Sequence, residues 1–208
     1  PFSAKWSARP IFLQDDRFAP YGRLAPASKA DFAFVQHMLA HLDDNGTMAV
    51  VLPHGALFRG GAEGAIREFI IREKNWLDAV IGLPANVFYG TTIPTCIMVF
   101  RKCRETDEVL FVDASSCFEK AKNQNYLRTQ DIDRIVGAYR SRAEEPRFAH
   151  NAPRAEIAGN DWNLNIPRYV ETFQAEARID LAAVTKDLKA VETEMEGIDA
   201  KLRAFCAE

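Results

Sequence analysis

The sequence is poor in cysteine, with four in 208 residues, and Cys96, Cys103, Cys117 and Cys206 show no Cys-x-x-Cys spacing. This leaves no disulfide framework and no zinc ribbon, and it fits free thiols in a reducing compartment such as the cytoplasm. No apolar run approaches the about 18 residues that read as a membrane span, and no charged start leads into an apolar stretch as in a secretory signal. A basic stripe is also missing. Lysine and arginine number 26 against 29 acidic residues, giving a net charge of −3. A chain that grips nucleic acid unaided usually concentrates positive charge on one face, so the charge neither supports nor excludes a role on DNA in which a partner supplies the grip. His37 and His41 lie one helical turn apart, but they lack the Glu of His-Glu-x-x-His and any third ligand, so they read as a surface pair and no metal site is expected. An initiator Met is absent as well: the chain opens on Pro1-Phe2, as expected of a segment cut from a longer protein.

What is present is a chain 48% hydrophobic, enough for one core and an appendage. Residues 1–27 are rich in Pro, Gly and aromatics without a period, and read as a long loop. Ser28 followed by Asp31 matches a capping box, and Phe32, Val35, Leu39 and Leu42 then recur at helical spacing. Met48–Leu52 is a short continuous apolar run, the mark of a strand covered on both faces. After a loop from Pro53 to Gly61, the residues Ala65, Ile66, Phe69 and Ile70 give a second helix its stripe. Residues 77–82, 95–100 and 109–112 read as further strands, and Thr129 as the cap of a helix presenting Ile132, Ile135, Val136 and Tyr139. Helices alternate with buried strands, which predicts an α/β fold with a largely parallel sheet. The 77–100 pair has no helix between its strands, so it is expected as an antiparallel hairpin at one edge. From Ala143 to Pro167 the pattern dissolves into a polar connector.

The last segment differs in kind. Leu181, Val184, Leu188, Val191, Met195, Ile198, Leu202 and Phe205 alternate at steps of three and four, an a/d seam held for over three heptads. A helix of this pattern packs along another helix. Residues 1–167 are therefore expected to form one domain and 168–208 a helical docking tail. Without a partner the tail is expected to self-associate or fold back.

Three segments carry a resemblance. They are Pro1-Phe2-Ser3-Ala4-Lys5-Trp6, the stretch from Thr47 through Leu52-Pro53-His54-Gly55 to Gly61, and the stretch from Ala79 through Phe88-Tyr89-Gly90-Thr91-Thr92-Ile93-Pro94 to Phe100. Together with Ser28–His37 and Asn160–Tyr169 they resemble the modification (M) subunit of type I restriction–modification systems, an adenine-N6 DNA methyltransferase of bacteria and archaea. The resemblance runs from Pro1 to about Tyr169 and implies the C-terminal part of a Rossmann-like methyltransferase sheet with an edge hairpin, followed by a long C-terminal helix. It also implies S-adenosylmethionine as methyl donor, duplex DNA as substrate, and assembly with a specificity (S) subunit and a restriction (R) subunit. The helical tail would dock on the S subunit, which selects the DNA sequence.

Adenine's amino nitrogen is a poor nucleophile because its lone pair is delocalised into the ring. Such enzymes therefore extrude the base, stack it on an aromatic ring and accept hydrogen bonds from its amino group. The resemblance implies that Pro1 and Phe2 are the end of an Asn-Pro-Pro-Phe loop, with Phe2 the stacking ring, and that Phe88 or Tyr89 is a second clamp on the base. The accepting Asn and Pro would precede residue 1, as would the glycine-rich cofactor loop. Gly60, Gly61 and Gly64 are the only glycine cluster. They do not directly follow a strand and read as a helix entry, so no cofactor site is expected in this chain and the segment alone is expected to be inactive. A general-base role for His54 is not favoured, since methylation in this family needs no strong base. Arg59, Arg67 and Arg72 could touch phosphates, but single arginines usually sit on a solvated face, and they are left unassigned. The alternative function is a non-catalytic assembly module, a degenerate methyltransferase half retained for its heptad helix. A single-chain restriction–methylation enzyme would need a recognition domain after Glu208.

Overall fold

The computed structural model describes residues 2–171, 185, 186, 188, 189 and 191–198. The chain divides into two units, Pro1–Thr172 and Phe173–Glu208.

In the first unit a five-stranded sheet is built from β1 (Thr47–Pro53), β2 (Leu77–Gly82), β3 (Thr95–Arg101), β4 (Val109–Asp113) and a late strand at Ala149–Ala152. A separate two-stranded ribbon pairs β5 (Glu119–Lys120) with β6 (Asn125–Tyr126), so the late strand is β7. The order across the sheet is β1-β3-β2-β4-β7. The hairpin of β2 and β3 is antiparallel as the sequence predicts, but β3 lies inside the sheet, pairing with β1 on one side and β2 on the other. The parallel contact is β2 with β4, and the sheet is mixed rather than largely parallel. β3 inserts because its residues from Thr95 to Phe100 are buried on both faces, apart from half-buried Ile97. Only an interior position covers such a strand.

Two apolar layers cover the sheet. On one face Leu52, Leu77, Val80, Met98, Phe100 and Phe111 pack with Phe32, Val35 and Leu39 of α1 (Asp31–His41) and with Ile66 of α2 (Gly61–Glu68). Helix α2 runs on into a π-helical turn at Phe69–Glu73 that buries Ile70 and Ile71. On the other face Ala79, Ile81, Val99, Leu110 and Val112 pack against Ile135 of α3 (Thr129–Ser141) and against Phe148. A short helix α4 (Arg154–Gly159) completes the unit.

Four local expectations are corrected by the structure. Ser28 does not cap α1: the N-cap is Ala30, because the Asp31 carboxylate is taken by partners elsewhere in the chain. β1 is not covered on both faces. It ends the sheet, and Val51 is 37% exposed. Arg128 rather than Thr129 is the N-cap of α3, with Asp131 accepting the Arg128 N–H at 2.9 Å, and Ile132 and Val136 face outward while Ile135 is buried. The polar connector contains β7, which local pattern could not reveal. Ala-His-Asn-Ala has little strand propensity and becomes a strand by pairing with β4.

In the second unit residues 191–198 are helical. Leu188, Val191, Met195 and Ile198 are 50–60% exposed. The seam positions Leu181, Val184, Leu202 and Phe205 lie outside the described residues, as does Pro1. No helix among the described residues is long and apolar enough to cross a membrane.

Candidate active site

β1, β2 and β4 all point their C-terminal ends to one edge of the sheet, as fixed by the registers Pro53↔Thr95, Gly82↔Cys96 and Gly82↔Asp113. Open α/β sheets bind ligands outside this edge. Three segments converge there: the loop 2–8, the turn His54–Leu57 after β1, and the loop from Leu83 to Pro94 that joins β2 to β3.

The third segment is closed at its base by the Leu83 N–H bonding Thr95 O at 2.9 Å and the His54 N–H bonding Pro94 O at 3.1 Å. Asn86, in the left-handed region at φ 56°, accepts from the Asn125 N–H at 2.8 Å, which ties the loop to the β5–β6 ribbon. Gly90 at φ 77° then lets the chain reverse. The tip presents Phe88 at 37% exposure and Tyr89 at 89%.

Phe2 meets this tip. Its ring centroid lies 5.8 Å from that of Phe88 with the planes at 81°, an edge-to-face pair. The structure thus brings together two rings that are 86 residues apart in sequence. Tyr89 makes no described ring contact with either of them.

The first loop is held along residues 25–31. Ala30 N–H bonds Ala4 O at 2.8 Å, Trp6 N–H bonds Ala27 O at 2.9 Å, and the Trp6 indole reaches Pro26 O at 3.0 Å. Ser3 N–H bonds Asp31 Oδ1 at 2.7 Å and its hydroxyl lies 3.2 Å from Oδ2. Arg59 Nη1 donates to the same Oδ2 at 2.9 Å and to Glu63 Oε1 at 2.8 Å. Burial raises the Glu63 pKa above the usual carboxylate range, with the Arg59 charge opposing it.

Arg59 and Arg67 are therefore not the solvated arginines that the sequence suggests. Arg67 is 3% exposed and donates to Ala56 O, Arg59 O and Trp162 O at 3.1, 2.8 and 3.1 Å. It locks the His54–Leu57 turn to the start of α2. Arg72 remains on the surface, paired with Glu68. The partners of Asp31 and Arg59 are 28 residues apart, so no local pattern could have revealed them.

His54 lies beside this edge with Nε2 buried and without a hydrogen-bond partner. Burial pushes its pKa below the ordinary imidazole value and Asp113 pulls the other way, so the ring is neutral near pH 7. Thr95 Oγ1, at the start of β3, is likewise buried and unpaired.

Gly60, Gly61 and Gly64 open α2, with Gly61 at φ 63°. No strand directly precedes them, and they do not form the turn that holds a nucleoside-type cofactor. Among the described residues no group of three His, Cys, Asp or Glu side chains could hold a metal. His37 Nδ1 instead accepts from Arg17 Nη1 at 3.0 Å.

The sequence model of the N-6 DNA Methylase family matches residues 1–178. The methylase subunit of the type I restriction enzyme MpnII from Mycoplasma pneumoniae is 34% identical over 98% of this chain and 38% of its own length. That of MjaVII from Methanocaldococcus jannaschii is 36% identical over 82% of this chain and 30% of its own length. Among solved structures, the methyltransferase subunit of a type I restriction–modification system from Streptococcus thermophilus superposes with a TM-score of 0.81 and 54% identity, covering 83% of this chain and 36% of that one. The chain thus spans about a third of the length of the relatives it matches.

Proposed function

The chain belongs to the N-6 DNA Methylase family, and from that premise we propose that it forms part of the modification subunit of a type I restriction–modification enzyme. That subunit transfers the methyl group of S-adenosylmethionine to the exocyclic amino group of adenine in duplex DNA. The observation that carries the reading is the convergence of Phe2 and Phe88 at the ligand-binding edge of the sheet. An extruded adenine needs an aromatic face and a second apolar contact. An edge-to-face pair leaves each ring at least one open face, so a base can stack on Phe2 with Phe88 beside it. Phe2 takes the stacking role, next to Pro1 in the loop, and Phe88 the clamp. Tyr89, at the exposed tip, is the second candidate for the clamp.

The described residues do not fit S-adenosylmethionine, since their only glycine cluster is the entry to α2. On this reading the cofactor is held elsewhere in the modification subunit, and the part of the transfer that falls to this chain is holding the base. Residues 1–167 serve the catalytic domain and 168–208 dock on the specificity subunit, which brings the DNA. The exposed Leu188, Val191, Met195 and Ile198, spaced three, four and three apart, support that docking face. The restriction subunit joins the same assembly.

The test is transfer of a labelled methyl group to duplex DNA by the full-length protein with its specificity subunit. Phe2→Ala should lower kcat by roughly ten- to a hundredfold, the equivalent of the about 1–3 kcal/mol that one base–aromatic stack is worth. Absence of transfer by the unaltered assembly would refute the enzymatic reading. If the subunits still bound each other tightly, the chain would be an assembly module.

A further inference from the structure

The loop that carries Phe2 is strained, and the strain has an identifiable anchor. Ser3 is in the left-handed region at φ 51°, a conformation that costs a residue with a Cβ and persists only where its surroundings over-determine it. What over-determines it here is one carboxylate. Asp31 takes the Ser3 N–H at 2.7 Å and the Ser3 hydroxyl at 3.2 Å, and its Oδ2 also receives Arg59 Nη1 at 2.9 Å. Asp31 occupies the first turn of α1, where an acidic side chain commonly serves the helix itself. In this structure both oxygens are turned to residues 28 positions away on either side.

Arg59 is fixed in turn. Glu63 accepts from the same nitrogen at 2.8 Å, and the guanidinium lies so close over Gly55 that a Cβ there would meet Nε at 2.8 Å. The arginine is thus lodged between the turn after β1 and the first turn of α2. Asp31 and Glu63 are 2% and 3% exposed and Arg59 17%, so the cluster is largely dry and its geometry tightly set. Four features that carry no chemistry of their own, Gly55, Arg59, Glu63 and Asp31, have one common consequence. They fix the backbone one residue from Phe2.

We propose that Asp31 and Arg59 are positioning residues that hold the Ser3 backbone in its strained form and so set the Phe2 ring against Phe88 for receipt of the base. The role rests on the reading of Phe2 as the stacking ring. Asp31 does not touch the base. Its carboxylate is needed because it must accept from the loop on one side and from Arg59 on the other. Asparagine has one accepting oxygen and an NH2 that only donates, so when its oxygen serves one side it turns N–H groups toward the donor on the other.

The experiment uses the full-length protein with its specificity subunit, with Asp31→Asn as the main variant. Hydrogen exchange should show the amides of residues 3–6 exchanging at least tenfold faster, with those of β2 and β4 unchanged. Methyl transfer should show kcat lowered at least tenfold and KM for DNA within threefold of the parent. Asp31→Asn placed on Phe2→Ala should cost nothing further, because Asp31 acts through that ring. Arg59→Lys, which keeps the charge but loses the planar fork over Gly55, should give the same pattern in weaker form. It serves as the variant if Asp31→Asn does not fold. Unchanged exchange in residues 3–6, an unchanged kcat, or a double variant whose losses add would each overturn the proposal. If the parent transfers no methyl group, the functional reading fails, while the exchange measurement still decides whether Asp31 holds the loop.

Discussion

Replacing Asp78 by Ala should be among the most destabilising single changes in the first unit. Asp78 is the second residue of β2 and is 2% exposed. Its carboxylate receives the Tyr139 hydroxyl at 2.7 Å and the Arg142 guanidinium, and it faces Arg104 Nε at 3.2 Å. That last approach is an ion pair rather than a well-aimed hydrogen bond, since Arg104 Nε has no hydrogen-bond partner. The Arg104 side chain is itself 2% exposed, and its other nitrogens donate to the backbone carbonyls of Leu77 and Glu108. It cannot leave without breaking those bonds. Removing Asp78 therefore strands a buried cation, which costs about 3–5 kcal/mol in comparable pairs. Arg142 softens the loss, because it is 29% exposed and borders an open cavity of about 540 Å³ into which it can turn. The orphaned Tyr139 hydroxyl adds about 1 kcal/mol. The sum is about 4 kcal/mol, a large part of the about 5–15 kcal/mol that holds a domain together. With a urea m-value of about 2 kcal/mol/M, the midpoint should fall by about 2 M at constant m. Trp76, two residues before Asp78, provides the fluorescence signal. A fall of less than about 0.5 M would mean that Arg104 is hydrated once Asp78 is gone, and would refute the stranded-cation reasoning. Tyr139→Phe, which removes one of the two hydrogen-bond donors to the carboxylate and strands no charge, should cost only about 1 kcal/mol in the same assay.

Arg67→Ala should destabilise by about 3 kcal/mol, because the carbonyls of Ala56, Arg59 and Trp162 lose their donor together; a midpoint shift under about 0.5 M in urea would contradict this. Stability should fall in alkali. Burial pushes Tyr21, Tyr139 and Tyr169 up to about 12 from an ordinary value of 10.0, so the contribution of each is complete below pH 10 and is lost as pH rises toward 12. Unfolding curves from pH 9 to 12, read with tyrosinate absorbance, check it, and phenols titrating near 10 in the folded protein would refute it. His150 should titrate above the ordinary imidazole value. Burial alone would lower its pKa, but Glu156 and Glu144 at 3.0 Å on its two nitrogens raise it. Its contribution is present below pH 6.5 and fades as pH rises through the raised value. An NMR titration tests this, and Glu144→Gln should move the midpoint down.

The hydrophobic pattern of the chain determined which segments become elements. Runs such as Ala79–Gly82 and Cys96–Phe100 are apolar throughout, and a short continuous apolar run is the mark of a strand covered on both sides. Phe32, Val35 and Leu39 share one helical face, and all three are buried. The family was legible for a related reason. Its loop motifs are contiguous stretches of sequence, and their residue types survive without reference to what they touch. Tertiary structure alone decided whatever depends on a partner distant in the chain. β7 exists because β4 offers it an edge, not because Ala149–Ala152 prefers extension. Val51 is exposed because β1 ends the sheet, although its apolar neighbours read as core. Asp31 looked like a helix cap and Arg59 and Arg67 like solvated arginines, since local sequence cannot say which carboxylate or carbonyl will lie 3 Å from a side chain. The juxtaposition of Phe2 with Phe88 belongs to the same class. Composition and periodicity follow the free energy of burial, which each segment carries with it, whereas paired charges, shared hydrogen bonds and ring contacts acquire their energy only once the fold has closed the distance between them.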